Sequence, residues 1–259
     1  MDIFQAIVYG IVQGITEFLP ISSTAHLNLL PWIVGWQQPD VVFDIALHFG
    51  TAVAVILFFA KDWVRIIGAG VTKPKSPDGR LFWFIVAATI PGAVAGVFLS
   101  EYTENFSPLL TGILLVVMGA VLYVCDRYSR SEIDMKGMGF GRSLLVGLAQ
   151  VLAILPGVSR SGITMSVGRA TGMERPSIAK FTFLMSTPLI LGDALYHAKD
   201  LPGMNVPVTP FVVGVVTSAI VGLLAIKFLL DFLRKRGFLL FTIYRFAFGG
   251  LVILLALFR

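Results

Sequence analysis

The chain is poor in charge. Asp, Glu, Lys and Arg make up 14% of its 259 residues, against about 25% in ordinary soluble domains. Apolar residues reach 56%. So few charges cannot cover a water-soluble globule of this length, and so many apolar residues exclude a disordered chain. Cysteine is almost missing. Cys125 stands alone, which excludes an internal disulfide and a cysteine metal cluster; it reads as a small apolar residue near a helix end. A basic N-terminal region is lacking too. The chain begins Met1-Asp2, and Gln13 and Glu17 interrupt its first apolar run, so no cleaved signal peptide is read there. The net charge of +5 fits cytoplasmic loops rich in Lys and Arg better than nucleic-acid binding.

What is present is apolar length. Six runs, 41–60, 81–99, 108–125, 178–196, 211–230 and 238–258, are long enough to cross roughly 30 Å of hydrocarbon as helices. Two more stretches are apolar but broken. Residues 3–36 are interrupted by Glu17, Pro20, Ser22, Ser23 and His26, and residues 143–172 by Pro156, Gly157, Ser159, Arg160, Ser161 and Gly162. A polar break inside an apolar run suits a re-entrant hairpin, whose irregular backbone sits in protein or lines a wet cavity.

The broken stretches resemble each other. Gly10-Ile-Val-Gln13 recurs as Gly147-Leu-Ala-Gln150, and Ser22-Ser23-Thr24-Ala25 lies over Ser159-Arg160-Ser161-Gly162 at the same offset. Each is followed by three spans. The expected fold is therefore an all-α integral membrane protein, one domain over 1–259, with six spans and two re-entrant hairpins. Repeat one covers 1–125 and repeat two 143–259. A hairpin returns to its own side while three spans change side, so the repeats have inverted topology and their polar tips can meet near the midplane.

Loop charge orients the chain. Lys61, Arg65, Lys73, Lys75, Arg80, Arg127, Arg130, Lys136, Arg142, Arg234, Lys235 and Arg236 fall on one side, in the loops 61–80, 126–142 and 231–237. The other side holds only Lys199 and Arg259 outside the spans. The first side is expected to be cytoplasmic, which places both termini and the opening of the first hairpin outside.

The two tips carry the chemistry. Gln13 and Glu17 are four apart and share a helix face, and a carboxylate inside an apolar stretch is a functional candidate by default. Ser22, Ser23 and Thr24 offer helix caps after Pro20, and the helix they start would aim free N–H groups at an anion. The second tip adds Ser159, Ser161, Thr164 and the guanidinium of Arg160, which grips phosphate oxygens bidentately. This set suits a pyrophosphate headgroup on a lipid tail. A serine can attack phosphorus once His26 or Glu17 takes its proton, with Arg160 stabilising charge on the equatorial oxygens. Glu17, helped by the Gln13 carbonyl, is the candidate ligand for a divalent cation. Ser22, Ser159, Ser161 and Thr164 are expected at the phosphates. Arg245, in the last span, is expected to make a structural pair or to snorkel, and His48 and His197, at span ends, read as interfacial.

The segments Gln13-Gly-Ile-Thr-Glu17-Phe-Leu-Pro-Ile-Ser22-Ser23-Thr-Ala-His26 and Pro156-Gly-Val-Ser159-Arg160-Ser161-Gly-Ile-Thr164 resemble the two motifs of the bacterial undecaprenyl-pyrophosphate phosphatases, the bacitracin-resistance family. Tyr244-Arg245-Phe246 is similar to that family as well, and the match covers essentially the whole chain. The resemblance implies hydrolysis of undecaprenyl pyrophosphate to undecaprenyl phosphate and inorganic phosphate in the bacterial cytoplasmic membrane. That reaction recycles the lipid carrier for cell-wall synthesis. The resemblance also implies a divalent metal, Mg2+ or Ca2+. The family's first motif has Glu or Gln, three residues, then Glu; position 13 here carries the Gln form. Ser23, beside His26 in the capped turn, is favoured over Ser22 as nucleophile. The expected partners are the polyprenyl lipid and the bilayer, with no nucleic acid and with a homodimer left open. A polyprenyl-phosphate flippase is the alternative, because inverted repeats with broken helices are also a transporter plan. The type-2 phosphatidic acid phosphatases do not fit: Ser166 stands where their catalytic His is expected after Ser159-Arg160, and no Lys-to-Arg-Pro motif precedes Ser22.

Overall fold

The computed structural model describes residues 1–99, 107–198 and 208–259, with the backbone alone for Asp193 and residues 196–198. The expectation for His197 and the position of Lys199 lie outside these side chains. The described chain is helical, apart from short 3-10 turns and one isolated bridge between Ile133 and Met173.

The first broken stretch folds as α1 (Ile3–Phe18) and α2 (Ser23–Val34). Asp2 opens α1 with a capping box: its carboxylate accepts the Gln5 N–H at 2.7 Å, and Gln5 Oε1 accepts the Asp2 N–H at 3.2 Å. The α2 helix ends at Gly35 in the left-handed conformation, φ 75°, which a glycine adopts without steric cost. Then follow α3 (Val41–Phe58), α4 (Ala60–Thr72), α5 (Pro77–Leu99) and α6 (Pro108–Tyr128). The second broken stretch gives α7 (Phe140–Ala149), a 3-10 turn at Gln150–Ile154 and α8 (Arg160–Ala170). The chain closes with α9 (Arg175–Ala198), α10 (Val208–Leu233) and α11 (Leu239–Phe258).

Among the described residues, α3, α5, α6, α10 and α11 are long and apolar enough to cross a membrane. Each coincides with a predicted span. The sixth, 178–196, lies inside the 24-residue α9. Outward faces show the solvent these helices are built for. On α10, Val208, Val212, Val216, Ile220, Leu224 and Phe228 are all exposed; their spacing of four draws one apolar stripe along the helix. Such a stripe is expensive in water and costs nothing against lipid chains.

One expectation needs correction. The charged segment 61–80, read as a loop, contains the helix α4. Its Val64, Ile67 and Val71 are exposed, Ile66 and Gly70 are buried, and Lys61, Asp62 and Arg65 form the polar side. The periodicity is helical; the density of charge concealed it. Lys180 Nζ of α9 anchors this helix by pairing with Asp62 at 2.8 Å.

Small residues let the helices approach closely. The α1 helix packs on α10, and α7 packs on α5. In the first seam a Cβ added at Gly14 would stand 2.7 Å from Val221 Cβ and 2.9 Å from the Ser218 carbonyl oxygen. Both neighbours sit on a rigid helix, so Gly14→Ala must push α1 off α10, at a cost of about 1–3 kcal/mol. The expected result is a lower unfolding temperature of the detergent-solubilised chain, measured by thermal size-exclusion chromatography. The largest core cluster lies beneath the two tips and joins Phe18, Phe59, Ile85, Met165, Phe183 and Phe238, among others.

Candidate active site

The two helix starts share an unusual backbone. Ser22 before α2 has φ 76° and ψ 97°, and Ser159 before α8 has φ 73° and ψ 114°. They are the only non-glycine residues with positive φ among the described ones. Each such residue costs of order 1–3 kcal/mol and persists only where its surroundings hold it. Each also caps its helix: Ser22 Oγ accepts the Ala25 N–H at 3.4 Å, and Ser159 Oγ accepts the Gly162 N–H at 3.1 Å. A cap takes one first-turn N–H and leaves the others for a ligand.

The turns are tied to each other. Gly157 N–H donates to Ser22 Oγ at 3.3 Å, and Ser161 Oγ donates to the Leu19 carbonyl at 3.0 Å. Arg245 of α11 holds both from beneath. It is fully buried. Its Nη1 donates to the Pro20 carbonyl at 3.1 Å, its Nη2 to those of Gly157 at 2.6 Å and Val158 at 3.2 Å, and its Nε to Leu115 at 3.1 Å. Among the described residues Arg245 therefore neither snorkels nor pairs with an acid; it donates to four carbonyl oxygens.

Glu17, buried at the end of α1, gathers the reactive groups. Its Oε1 makes an ion pair with Arg160 Nη2 from the other tip. Its Oε2 accepts the Ser23 hydroxyl at 2.7 Å and a Gln13 Nε2 hydrogen at 3.2 Å. Glu17, Ser22, Ser23, Ser159, Arg160 and Ser161 border one cavity of about 550 Å³. Its far wall is small and apolar, including Gly92, Gly96 and Gly192.

Two expected site residues point elsewhere. His26 does not border the cavity. Its Nδ1 lies 2.7 Å from the Ser22 carbonyl, an acceptor, so the ring hydrogen sits there. Its Nε2 then accepts the Tyr244 hydroxyl at 2.6 Å, and the ring stacks on Phe248 with centroids 4.5 Å apart. Both nitrogens are engaged, and the hydrogen bond within reach of Ser23 Oγ goes to Glu17. Thr164 spends its hydroxyl on the Arg160 carbonyl at 2.7 Å and accepts from Thr182 at 3.1 Å. It turns toward α9 instead of the cavity.

His48 shows the opposite deviation. Expected at an interface, it borders the cavity from α3, with Nδ1 3.0 Å from Gln13 Nε2 and 3.6 Å from Glu17 Oε2. Asp44 stands one turn before it on α3, but the side chains at 3.0 and 3.6 Å come from α1, and no spacing in the sequence pointed to them. Gln150 stands out in the sequence only as the repeat partner of Gln13. It borders the cavity and donates to the Ala88 carbonyl at 2.6 Å.

Helices with apolar outer faces around a pocket of carboxylate, hydroxyl and guanidinium define a multi-pass membrane protein with a buried polar site. The chain belongs to the family described as bacitracin resistance protein BacA, whose family model matches residues 6–251. It is 51% identical to an undecaprenyl-diphosphatase of Desulforudis audaxviator, with all of both chains covered. It is 48% identical to proteins of the same name from Pelotomaculum thermopropionicum, over 99% of this chain and 97% of the other, and Moorella thermoacetica, over 98% and 97%.

Proposed function

We propose that this chain is a membrane phosphatase that hydrolyses undecaprenyl pyrophosphate to undecaprenyl phosphate and inorganic phosphate. Family membership and the full-length match to undecaprenyl-diphosphatases support the reaction. The observation that carries the mechanism is the Ser23 hydroxyl held on Glu17 Oε2 at 2.7 Å while Arg160 from the other tip holds Oε1.

Ser23 Oγ attacks the terminal phosphorus and Glu17 takes its proton. The bond to the bridging oxygen breaks, and undecaprenyl phosphate leaves with the proton that Glu17 gained. Water then attacks the phosphoserine, Glu17 takes a proton from that water, and it returns this proton to Ser23 Oγ as inorganic phosphate is released. The remaining donors of Arg160 and the first-turn N–H groups of α2 and α8 face charge that grows on the phosphoryl oxygens. Proton acceptance belongs to Glu17, and His26 is a positioning residue that fixes the Ser22–Ser23 turn. Ser22, Ser159 and Ser161 join and cap the tips at the edge of the phosphate site. Ser23→Ala in detergent-purified protein should lower phosphate release by at least about 10³-fold. Near-normal release by Ser23→Ala together with loss in Ser22→Ala would transfer the nucleophile to Ser22.

The donor set suits a divalent cation, Mg2+ or Ca2+: the Gln13 amide lies against the Glu17 carboxylate, and its Oε1 is buried without a hydrogen-bond partner. Gln13 and Glu17 would hold it, and it would neutralise charge on the pyrophosphate. Lipid transport without chemistry would leave the Ser23–Glu17 pair without a task.

We further read the chain as one membrane domain of six spans and two re-entrant hairpins, with 1–125 and 143–259 as inverted repeats. The matching positive φ of Ser22 and Ser159 supports this, as does the exchange of packing partners, α1 on α10 and α7 on α5. Loop charge supports a bacterial inner-membrane orientation with the termini and the cavity toward the outside.

A further inference from the structure

Gln13 is fully buried, yet its two polar ends are treated unequally. Nε2 faces Glu17 Oε2 at 3.2 Å and His48 Nδ1 at 3.0 Å, while Oε1 has no partner. An amide nitrogen only donates, so both atoms it faces are acceptors, and His48 presents a lone pair to the group. A buried carbonyl oxygen without a partner is costly. Rotation of the amide by half a turn exchanges oxygen for nitrogen at nearly unchanged shape.

After that rotation three acceptors converge. Oε1 would occupy the place of Nε2, 3.0 Å from His48 Nδ1 and 3.2 Å from Glu17 Oε2, and those two are 3.6 Å apart. With His48 Nδ1 carrying no hydrogen, three lone pairs so close repel unless a cation lies between them; a hydrogen on Nδ1 is the metal-free arrangement that the test below distinguishes. Ligand atoms about 2.1 Å from one ion, at angles of about 90–110°, stand roughly 3.0–3.4 Å apart. Two of the edges found here fall in that range, and the third, at 3.6 Å, is slightly longer. Among the described residues no group of three His, Cys, Asp or Glu side chains is placed to hold a metal, so a cation here must recruit an amide oxygen.

We propose that His48 completes the cation site, so that Gln13 Oε1, Glu17 Oε2 and His48 Nδ1 form one face of a mixed oxygen and nitrogen site. The remaining positions open to the cavity that His48 borders. Imidazole nitrogen raises the affinity of such a site for transition ions relative to Mg2+ and Ca2+, so Mn2+ is the probe in which the nitrogen ligand can be seen. This rests on the reading of Gln13 and Glu17 as cation ligands.

The test is a Mn2+ titration of the full chain in detergent, followed by electron paramagnetic resonance, with spin-echo modulation reporting a directly bonded nitrogen. One Mn2+ site with a nitrogen signal is expected. His48→Gln should remove that signal and weaken Mn2+ at least about tenfold. The unfolding temperature of His48→Gln without added metal should stay close to the parent's, which shows that the variant is folded. A Mn2+ site that Glu17→Gln abolishes, but that lacks the nitrogen signal and ignores His48→Gln, overturns the role of His48 alone. Mn2+ binding indifferent to both Glu17→Gln and Gln13→Ala overturns the cation reading beneath it.

Discussion

Glu17→Gln should reduce phosphate release from undecaprenyl pyrophosphate by at least about 10³-fold, with the unfolding temperature nearly unchanged. The substitution keeps shape and removes charge. Loss of a positioned general base costs about 10²–10⁴-fold on its own. Here the same carboxylate also holds the Ser23 hydroxyl at 2.7 Å and fixes Arg160 across the two tips. The amide can accept a hydrogen bond from serine but cannot take its proton, so the loss should appear in kcat more than in KM. Arg160→Lys should fall between the variant and the parent, because an ammonium keeps the charge and loses the fork that grips two oxygens. Steady-state phosphate release at several lipid concentrations separates the two parameters. Turnover of Glu17→Gln within tenfold of the parent would remove Glu17 from the role of base.

Arg245→Leu should be the most destabilising single change at the site. It strands the carbonyl oxygens of Leu115, Pro20, Gly157 and Val158, which Arg245 now satisfies. An unsatisfied buried acceptor costs about 1–3 kcal/mol, so four together approach the whole stability of an ordinary protein. The two turns also lose the tie that keeps Ser22 and Ser159 at positive φ. The expected outcome is a fall of about 10 °C or more in the unfolding temperature, with activity lost alongside. Arg245→Lys should recover only part of it, since a single ammonium cannot reach four carbonyl groups drawn from three segments. An unfolding temperature equal to the parent's would show that the turns hold themselves.

The sequence was most legible where the physics is local. Five apolar runs of bilayer length became five long helices because hydropathy depends on composition alone. The breaks around Ser22 and Ser159 were legible because Pro, Gly and Ser interrupt an apolar run that would otherwise continue. Segment 61–80 was misread because its charges hid the stripe of Val64, Ile67 and Val71. Within the tips, residue type singles out Glu17, Ser23 and Arg160 as candidates, since a carboxylate or guanidinium in an apolar stretch needs a reason, and the structure brings the three side chains together. His48 and Tyr244 were not found as site groups, because each acquires its partner only across helices, His48 from α1 and Tyr244 from α2.

Composition, hydropathy and the offset between the broken stretches determined by themselves the class of protein and the two tips where the candidate site residues collect. What only the tertiary structure decided is which side chain meets which. Glu17 and Arg160 are 143 positions apart yet form one ion pair. His26 stands three positions from Ser23, yet it turns to Tyr244, 218 positions away. The reason is physical: burial and helix period are properties of a segment, whereas a hydrogen bond depends on the positions of two atoms. Those positions are set by the packing of the helices that carry them.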